Sequence, residues 1–400
     1  MIEHLPKQSR REFFATAGMA AGAFLAAPSL LSARPAPAGR VAIGMCPEYN
    51  RQVEATLATM FDQLGGLQKL VSGKTVAIKL NMTGPTSMRF ENMPLGMTHW
   101  VNPVVIAATV SLMGRAGARR IRLLESPPDG ANPLQHFMAS AGWDVNTIAN
   151  AAKHVEFENT NYLAGHKAYA RFMVPGHPLM YAGYDTNPSY RDNDLMVSMA
   201  KLKDHRIAGV TLSMKNMFGS LPTTIYGMDA PIDEPAPTAI PGNRAGMVHN
   251  GRRVPPKSAP RAIDVTSHDP HYRMPHVVPE LVSARPVELA IIDGIHTIDG
   301  GELPSMRSGP GQTVNHALHP GVLIAGLNPV NTDAVAVAVM GFNPMATRGE
   351  PPFELCDSML EYGEKIGLGA RDLSRIDVVG TPIAKARCTS FKSVKQCLPA

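Results

Sequence analysis

Short, almost continuously apolar runs recur along this chain at 75–81, 121–125, 194–200, 287–294, 321–326 and 376–380. Runs of this length without polar alternation suit strands that are covered on both faces. Segments with helical spacing lie between them, at 51–70, 104–116, 133–141 and 331–340. Helix and strand in alternation predict an α/β fold: a mostly parallel sheet flanked by helices. Residues 223–280 break the rhythm, being rich in Pro, Gly and His, and read as an insertion of the lid or active-site type. The expected organisation is one α/β domain over 39–400 carrying that insertion. In open sheets of this class ligands sit beyond the carboxyl ends of the strands.

Residues 1–38 read as a targeting segment. Ser9-Arg10-Arg11-Glu12-Phe13-Phe14 precedes a mildly apolar Ala/Gly/Leu run over 15–31 and small-residue sites at 31–33 and 36–38. This is the pattern of a twin-arginine signal peptide, which implies the twin-arginine export machinery as a partner and a periplasmic destination. The run is too short for a comfortable membrane span. Passengers on this route cross the membrane folded, often with a cofactor already inserted, so the route suggests a cofactor without naming one. Removing 1–38 leaves 34 basic and 31 acidic side chains, a charge of +3. That balance, without a basic-aromatic stripe, does not point to nucleic acid.

The four cysteines, Cys46, Cys356, Cys388 and Cys397, contain no C-x-x-C pair, which argues against an iron–sulfur cluster or a zinc knuckle. In an oxidising compartment Cys388 and Cys397 could close a short C-terminal loop, and Cys46 and Cys356 a second bridge.

The stretch 199–222 concentrates the chemistry. It reads as strand, polar turn and helix, the helix spanning Ile207 to Phe218 before Gly219 and Pro222. The turn carries Lys203 and His205, while Thr211 and Lys215 share a helix face. Long helical side chains lean toward their own N-terminus, so Lys215 is expected to point at His205, beside a helix N-terminus that favours anions. Other strand ends supply Lys79 and Asn81, and Asp293 with Asp299 and Glu302. Asp333 opens a helix, where it could equally serve the backbone dipole. A basic set (Lys79, Lys203, His205, Lys215) facing an acidic set (Asp293, Asp299, Asp333) suits acid/base chemistry or a metal beside an anionic ligand. His268, His271 and His276 form a second possible metal cluster.

Two resemblances refine this reading. Lys201-Leu202-Lys203-Asp204-His205, then 209–219 (GVTLSMKNMFG), Ile291-Ile292-Asp293-Gly294, 321–326 (GVLIAG) and Asp333 occur in the order seen in the family called domain of unknown function 362. The chain resembles that family over roughly residues 74 to 345. Many of its members append a ferredoxin-like domain, for which this chain lacks the cysteines. More locally, His205-x-x-Ala208-Gly209-x-Thr211-x-x-x-Lys215 is similar to a segment of the lactate racemase family. That likeness implies His205 as an acid/base group, Lys215 as the carrier of a nickel-containing nucleotide cofactor and His99 as a second acid/base histidine. The nickel-binding histidine that follows the lysine in that family has no early counterpart, the next being His249.

The resulting expectation is an exported enzyme, racemase- or epimerase-like, that holds a small anionic molecule or cofactor. His205, Lys215 and His99 would carry the chemistry. Lys79, Asn81, Lys203, Thr211 and Asn216 would bind the ligand, and Asp293, Asp299 and Asp333 a divalent metal. A non-catalytic ligand- or cofactor-binding protein and a metal-dependent redox protein are the alternatives.

Overall fold

The computed structural model describes residues 39–128, 133–304 and 313–398; residues 1–38, where a twin-arginine signal is expected, lie outside them. Eight strands form the central sheet: β1 (Arg40–Met45), β2 (Thr75–Lys79), β3 (Arg120–Glu125), β4 (Val155–Asn159), β5 (Leu195–Lys201), β6 (Leu289–Gly294), β7 (Val322–Gly326) and β8 (Asp377–Gly380). Their spatial order is β8-β1-β7-β6-β5-β2-β3-β4. All neighbouring pairs are parallel except those of β7, which runs antiparallel between β6 and β1. The fold is thus the α/β arrangement expected from the sequence, with one reversed strand in it.

Side chains alternate across a strand, so each apolar run feeds two cores. Val76 and Ile78, Ile121 and Leu123, and Val197 and Met199 face one layer, packed by helix α1 (Gln52–Gln63) and helix α2 (Pro103–Arg115). Ala77, Leu124, Met196, Ala200 and Ile292 face the other layer. No helix among the described residues is long and apolar enough to cross a membrane.

After β5 the chain does not enter a helix at Ile207, as the apolar spacing predicts. It makes a two-stranded hairpin (Asp204–His205 with Gly209–Val210) and only then helix α3, Leu212–Asn216. Gly209 explains the turn: its φ is +72°, and a Cβ there would meet the Phe353 ring at 2.5 Å. Leu212 enters α3 at φ 46°, a strained value for a branched residue that its complete burial holds in place. The insertion is structured: Thr223–Tyr226 is a helical turn, Ala245–His249 a wide π turn, and helix α4 (Pro270–Ala284) buries Met274, Val277, Val278 and Leu281 in the core. Helix α5 (Pro329–Val339) follows β7.

In this structure none of the four cysteines is bonded to another; the Cys388 N–H bonds the Val339 carbonyl, while Cys397 lies near Asp299. His268, His271 and His276 do not converge on a common point. The first bonds the Asn250 carbonyl, the second sits beside Asp269, and the third is set between the Tyr272 and Tyr362 rings.

Asp293, expected beside a metal, is engaged by the protein's own groups. It and Lys201 are both fully buried and pair at 2.9 Å on adjacent strands. The Tyr49 hydroxyl and the N–H groups of Asn102 and Ile295 complete the carboxylate's partners, and Lys201 Nζ also donates to the Tyr49 oxygen and the Gly96 carbonyl. Removing one member of such a pair strands the other charge in the interior. Asp293→Ala is expected to cost about 3–5 kcal/mol, read as a lowered urea midpoint; a loss below about 1 kcal/mol would contradict this account.

Candidate functional site

The sheet order reverses between β2 and β5: the chain runs outward through β3 and β4, then returns to the other side of β2. Beyond the carboxyl ends of strands at such a switch point, the loops diverge and leave a crevice. A cavity of about 310 Å³ lies there, walled by Lys79, Asn81, Glu125, His205, Thr211, Lys215, Asn216 and Glu302, with Phe218, Arg244 and His249 from the segments that follow.

Asn216 fixes the gap. Its amide nitrogen reaches the Lys79 carbonyl of β2 (3.1 Å), and the Ser198 hydroxyl (3.0 Å) and Met199 carbonyl (3.2 Å) of β5. Its oxygen accepts from the Asn81 amide at 3.1 Å, which leaves Asn81 Oδ1 buried and unpartnered at the cavity wall. Lys79 is no free cation. Its Nζ lies 2.6 Å from Glu125 Oε1 and 2.6 Å from the Leu80 carbonyl. The other Glu125 oxygen accepts the Met82 N–H. Gly219 makes room for this pair, because a Cβ there would come within 2.7 Å of Lys79 Nζ.

Lys203 and His99 fall behind the wall instead of in the cavity. Lys203 Nζ donates to the His99 carbonyl (2.8 Å) and the Glu302 carbonyl (2.9 Å), and both residues are fully buried. Burial, reinforced by Lys201 and Lys203, keeps the His99 imidazole well below the usual histidine range, and its Nε2 is unpartnered. The basic set is thereby divided: Lys215 and His205 face the cavity, and Lys203 supports it.

The acidic set divides more completely. Asp333 sits at the start of α3, where it accepts the N–H groups of Ser213 (2.8 Å) and Met214 (2.9 Å) and the Ser213 hydroxyl. The helix N-terminus expected to bind an anion is thus filled by the protein's own carboxylate. Asp299 lies with His316 and Cys397. The acid that faces the bases is Glu302. Its Oε2 accepts the Arg206 N–H at 3.1 Å and lies 3.7 Å from His205 Nδ1. Burial opposes ionisation of Glu302, but the N–H groups of Arg206 and of Glu302 itself, with the Arg206 charge nearby, hold the carboxyl below the usual carboxylate range.

His205 is oriented by its own turn. Nδ1 accepts from the N–H groups of Ile207 (3.1 Å) and Ala208 (3.3 Å), which places the imidazole proton on Nε2. Burial keeps the ring neutral, well below the usual histidine range. Lys215 makes no hydrogen bond or ion pair with the described residues; its Nζ stands 4.2 Å above the centre of the Phe218 ring. Arg244 lies over the same ring at 5.8 Å, and the His249 ring meets it edge-on at 4.9 Å. A cation over an aromatic face gains modestly. Neither that nor the charge of Glu302 offsets desolvation, which with Arg244 and Lys79 nearby lowers Lys215 to about 7.

Sequence reading thus finds His205, Lys215, Thr211, Asn216, Lys79 and Asn81 at one cleft, and misses Glu125, Phe218, Arg244 and His249 there. Glu125 ends a strand next to β2, a signal of the same kind that marks Lys79. Arg244 and His249 sit in the aperiodic insertion, where no spacing marks them. The described residues of the cleft are also its own test of protonation. Because Lys215 is depressed in the folded chain, the unfolded chain binds the extra proton between about pH 7 and 10.5, and stability on this account rises with pH over that window. Lys215→Met is therefore expected to gain stability relative to the parent at about pH 7 and to lose that advantage near about pH 10, measured as paired urea midpoints.

The model of a family described as domain of unknown function (DUF362) aligns with residues 76–338. No curated protein matches the chain.

Proposed function

We propose that this chain, which belongs to the DUF362 family, binds a small anionic molecule at the β2/β5 switch point and exchanges a proton with it through Lys215. The observation that carries this reading is Lys215 itself: a buried amine, 7% exposed, facing a cavity with no carboxylate bonded to it. Burying an ammonium without a partner is costly, which disposes Lys215 to give up its proton, while the Arg244 guanidinium on the same wall would meet the charge of an anionic ligand. Arg244 and the unpartnered His249 Nδ1 and Asn81 Oδ1 offer further polar contacts at the same wall.

The geometry assigns roles. Lys215, lowered to about 7, is a neutral amine in a substantial fraction of molecules at neutral pH and can take a proton from a carbon next to a carboxylate or carbonyl. His205 is fixed as an N–H donor, since its Nδ1 is occupied by backbone donors, and it suits an oxygen on which charge develops. Proton abstraction by Lys215 and return to either face would give the racemase- or epimerase-like outcome. A cavity of about 310 Å³ is at the small end of ligand sites, which suits a compact carboxylate more than a nucleotide. Export by the twin-arginine route would place this activity in the periplasm.

The test is α-proton wash-out. The purified chain is incubated in D₂O with short 2-hydroxy and 2-oxo carboxylates and followed by NMR. Exchange is expected to rise with pH through about 7 as Lys215 loses its proton, and to fall at least about 100-fold in Lys215→Ala and His205→Ala. Exchange that survives in Lys215→Ala, or no exchange and no ligand-induced thermal shift with any of the acids, overturns the reading. For export, replacing Arg10 and Arg11 together by Lys is expected to leave the protein in the cytoplasmic fraction of its host, by immunoblot against the parent chain.

A further inference from the structure

A second cluster of chemically active side chains lies outside the cleft. Asp299 ends a short strand (Thr297–Asp299), His316 begins the strand paired with it (His316–Leu318), and Cys397 closes the last helical turn (Lys395–Cys397). One donor atom from each lies within 4.8 Å of the others. Around a tetrahedral zinc ion, with bonds of about 2.0–2.3 Å, donor atoms stand about 3.3–3.8 Å apart, so the three need only small adjustments to share an ion.

Three observations favour a cation here. Asp299 is fully buried, and its side-chain partners are His316, at 2.7 Å, and the Cys397 thiol. Its other partners are the backbone N–H groups of His316 and Lys392. The donors are an imidazole, a thiol and a carboxylate, a mixed set that suits zinc and its neighbours better than calcium or magnesium. The His316 side chain is 38% exposed, which gives an ion a route in and leaves a coordination position for water.

We propose that Asp299, His316 and Cys397 bind one divalent transition ion of the zinc class, fastening the C-terminal segment to the loop that carries Glu302. On binding, Cys397 releases its proton to solvent and ligates as thiolate; the His316 proton moves from Nδ1 to Nε2, and Nδ1 takes the metal. Asp299 contributes one carboxylate oxygen. No oxidation is involved, and water completes the coordination.

The experiment uses cobalt(II) as a spectroscopic probe on the full chain, reduced and freed of metal. One equivalent is expected to bind, with a thiolate-to-cobalt charge-transfer band and the release of one proton, and zinc is expected to displace the cobalt. Cys397→Ser should abolish the band. His316→Ala, a change at a partly exposed side chain that should not impair folding, should weaken binding at least about 10-fold. Lys215→Ala should leave the band unaltered, so failure of the cleft reading does not touch this one. Absence of a band, a band that persists in Cys397→Ser, or Cys397 oxidised to a disulfide in the exported protein overturns the proposal.

Discussion

A buried ammonium must find a partner or give up its charge, and this rule sorts the lysines around the switch point. Lys201 has Asp293 and Lys79 has Glu125, each pair formed across neighbouring strands. Lys203 has two backbone carbonyls and is lowered to about 7 by burial and by Lys201 and Lys215, so it supports the wall in a form that is only partly charged. Lys215 has an aromatic face and no bonded carboxylate among the described residues, Glu302 acting on it only through space. Four lysines in similar surroundings therefore have different standing: two are structural ions, one is a structural donor, and one is left over. The leftover one is the amine free to exchange a proton with a ligand.

The carboxylates follow the same logic in reverse. Asp293 is held by a lysine, a tyrosine and backbone N–H groups, while Asp333 is pushed up to about 7 by burial despite its serine and backbone donors. Both are consumed by the fold. Glu302 instead stays ionised beside a neutral imidazole, so the cleft holds one fixed negative charge close to His205 and none bonded to Lys215. That asymmetry separates the donor side of the cleft from its base side.

Much of this was legible before any coordinates. Apolar runs at 75–81, 121–125, 194–200 and 287–294 marked the strands, because a sheet covered on both faces admits few polar residues. The rule that ligands lie at carboxyl strand ends then placed Lys79, Asn81, His205 and Lys215 together. The same rule could not say which acid would meet which base, because Asp293, Asp299 and Asp333 all follow strands and only the register assigns their partners. The 207–218 helix failed for a local reason: apolar spacing cannot reveal that Gly209 must turn under Phe353 and that Leu212 must start the helix from the left-handed region. Arg244 and His249 were invisible because a Pro-rich segment has no period from which to read a facing side.

The hairpin and the Glu302 loop hold each other through reciprocal bonds. Asp204 accepts the N–H groups of Gly300 and Gly301, Lys203 donates to the Glu302 carbonyl, and the Arg206 N–H reaches the Glu302 side chain. His205 lies between Asp204 and Arg206, so its ring cannot reorient without disturbing that lattice of bonds. Asp299 stands immediately before Gly300, and through its partners the loop is tied to the C-terminal segment. The donor direction of His205 is thus set by contacts that reach from the middle of the chain to its end. A cleft assembled in this way requires the whole domain to be folded before it can act.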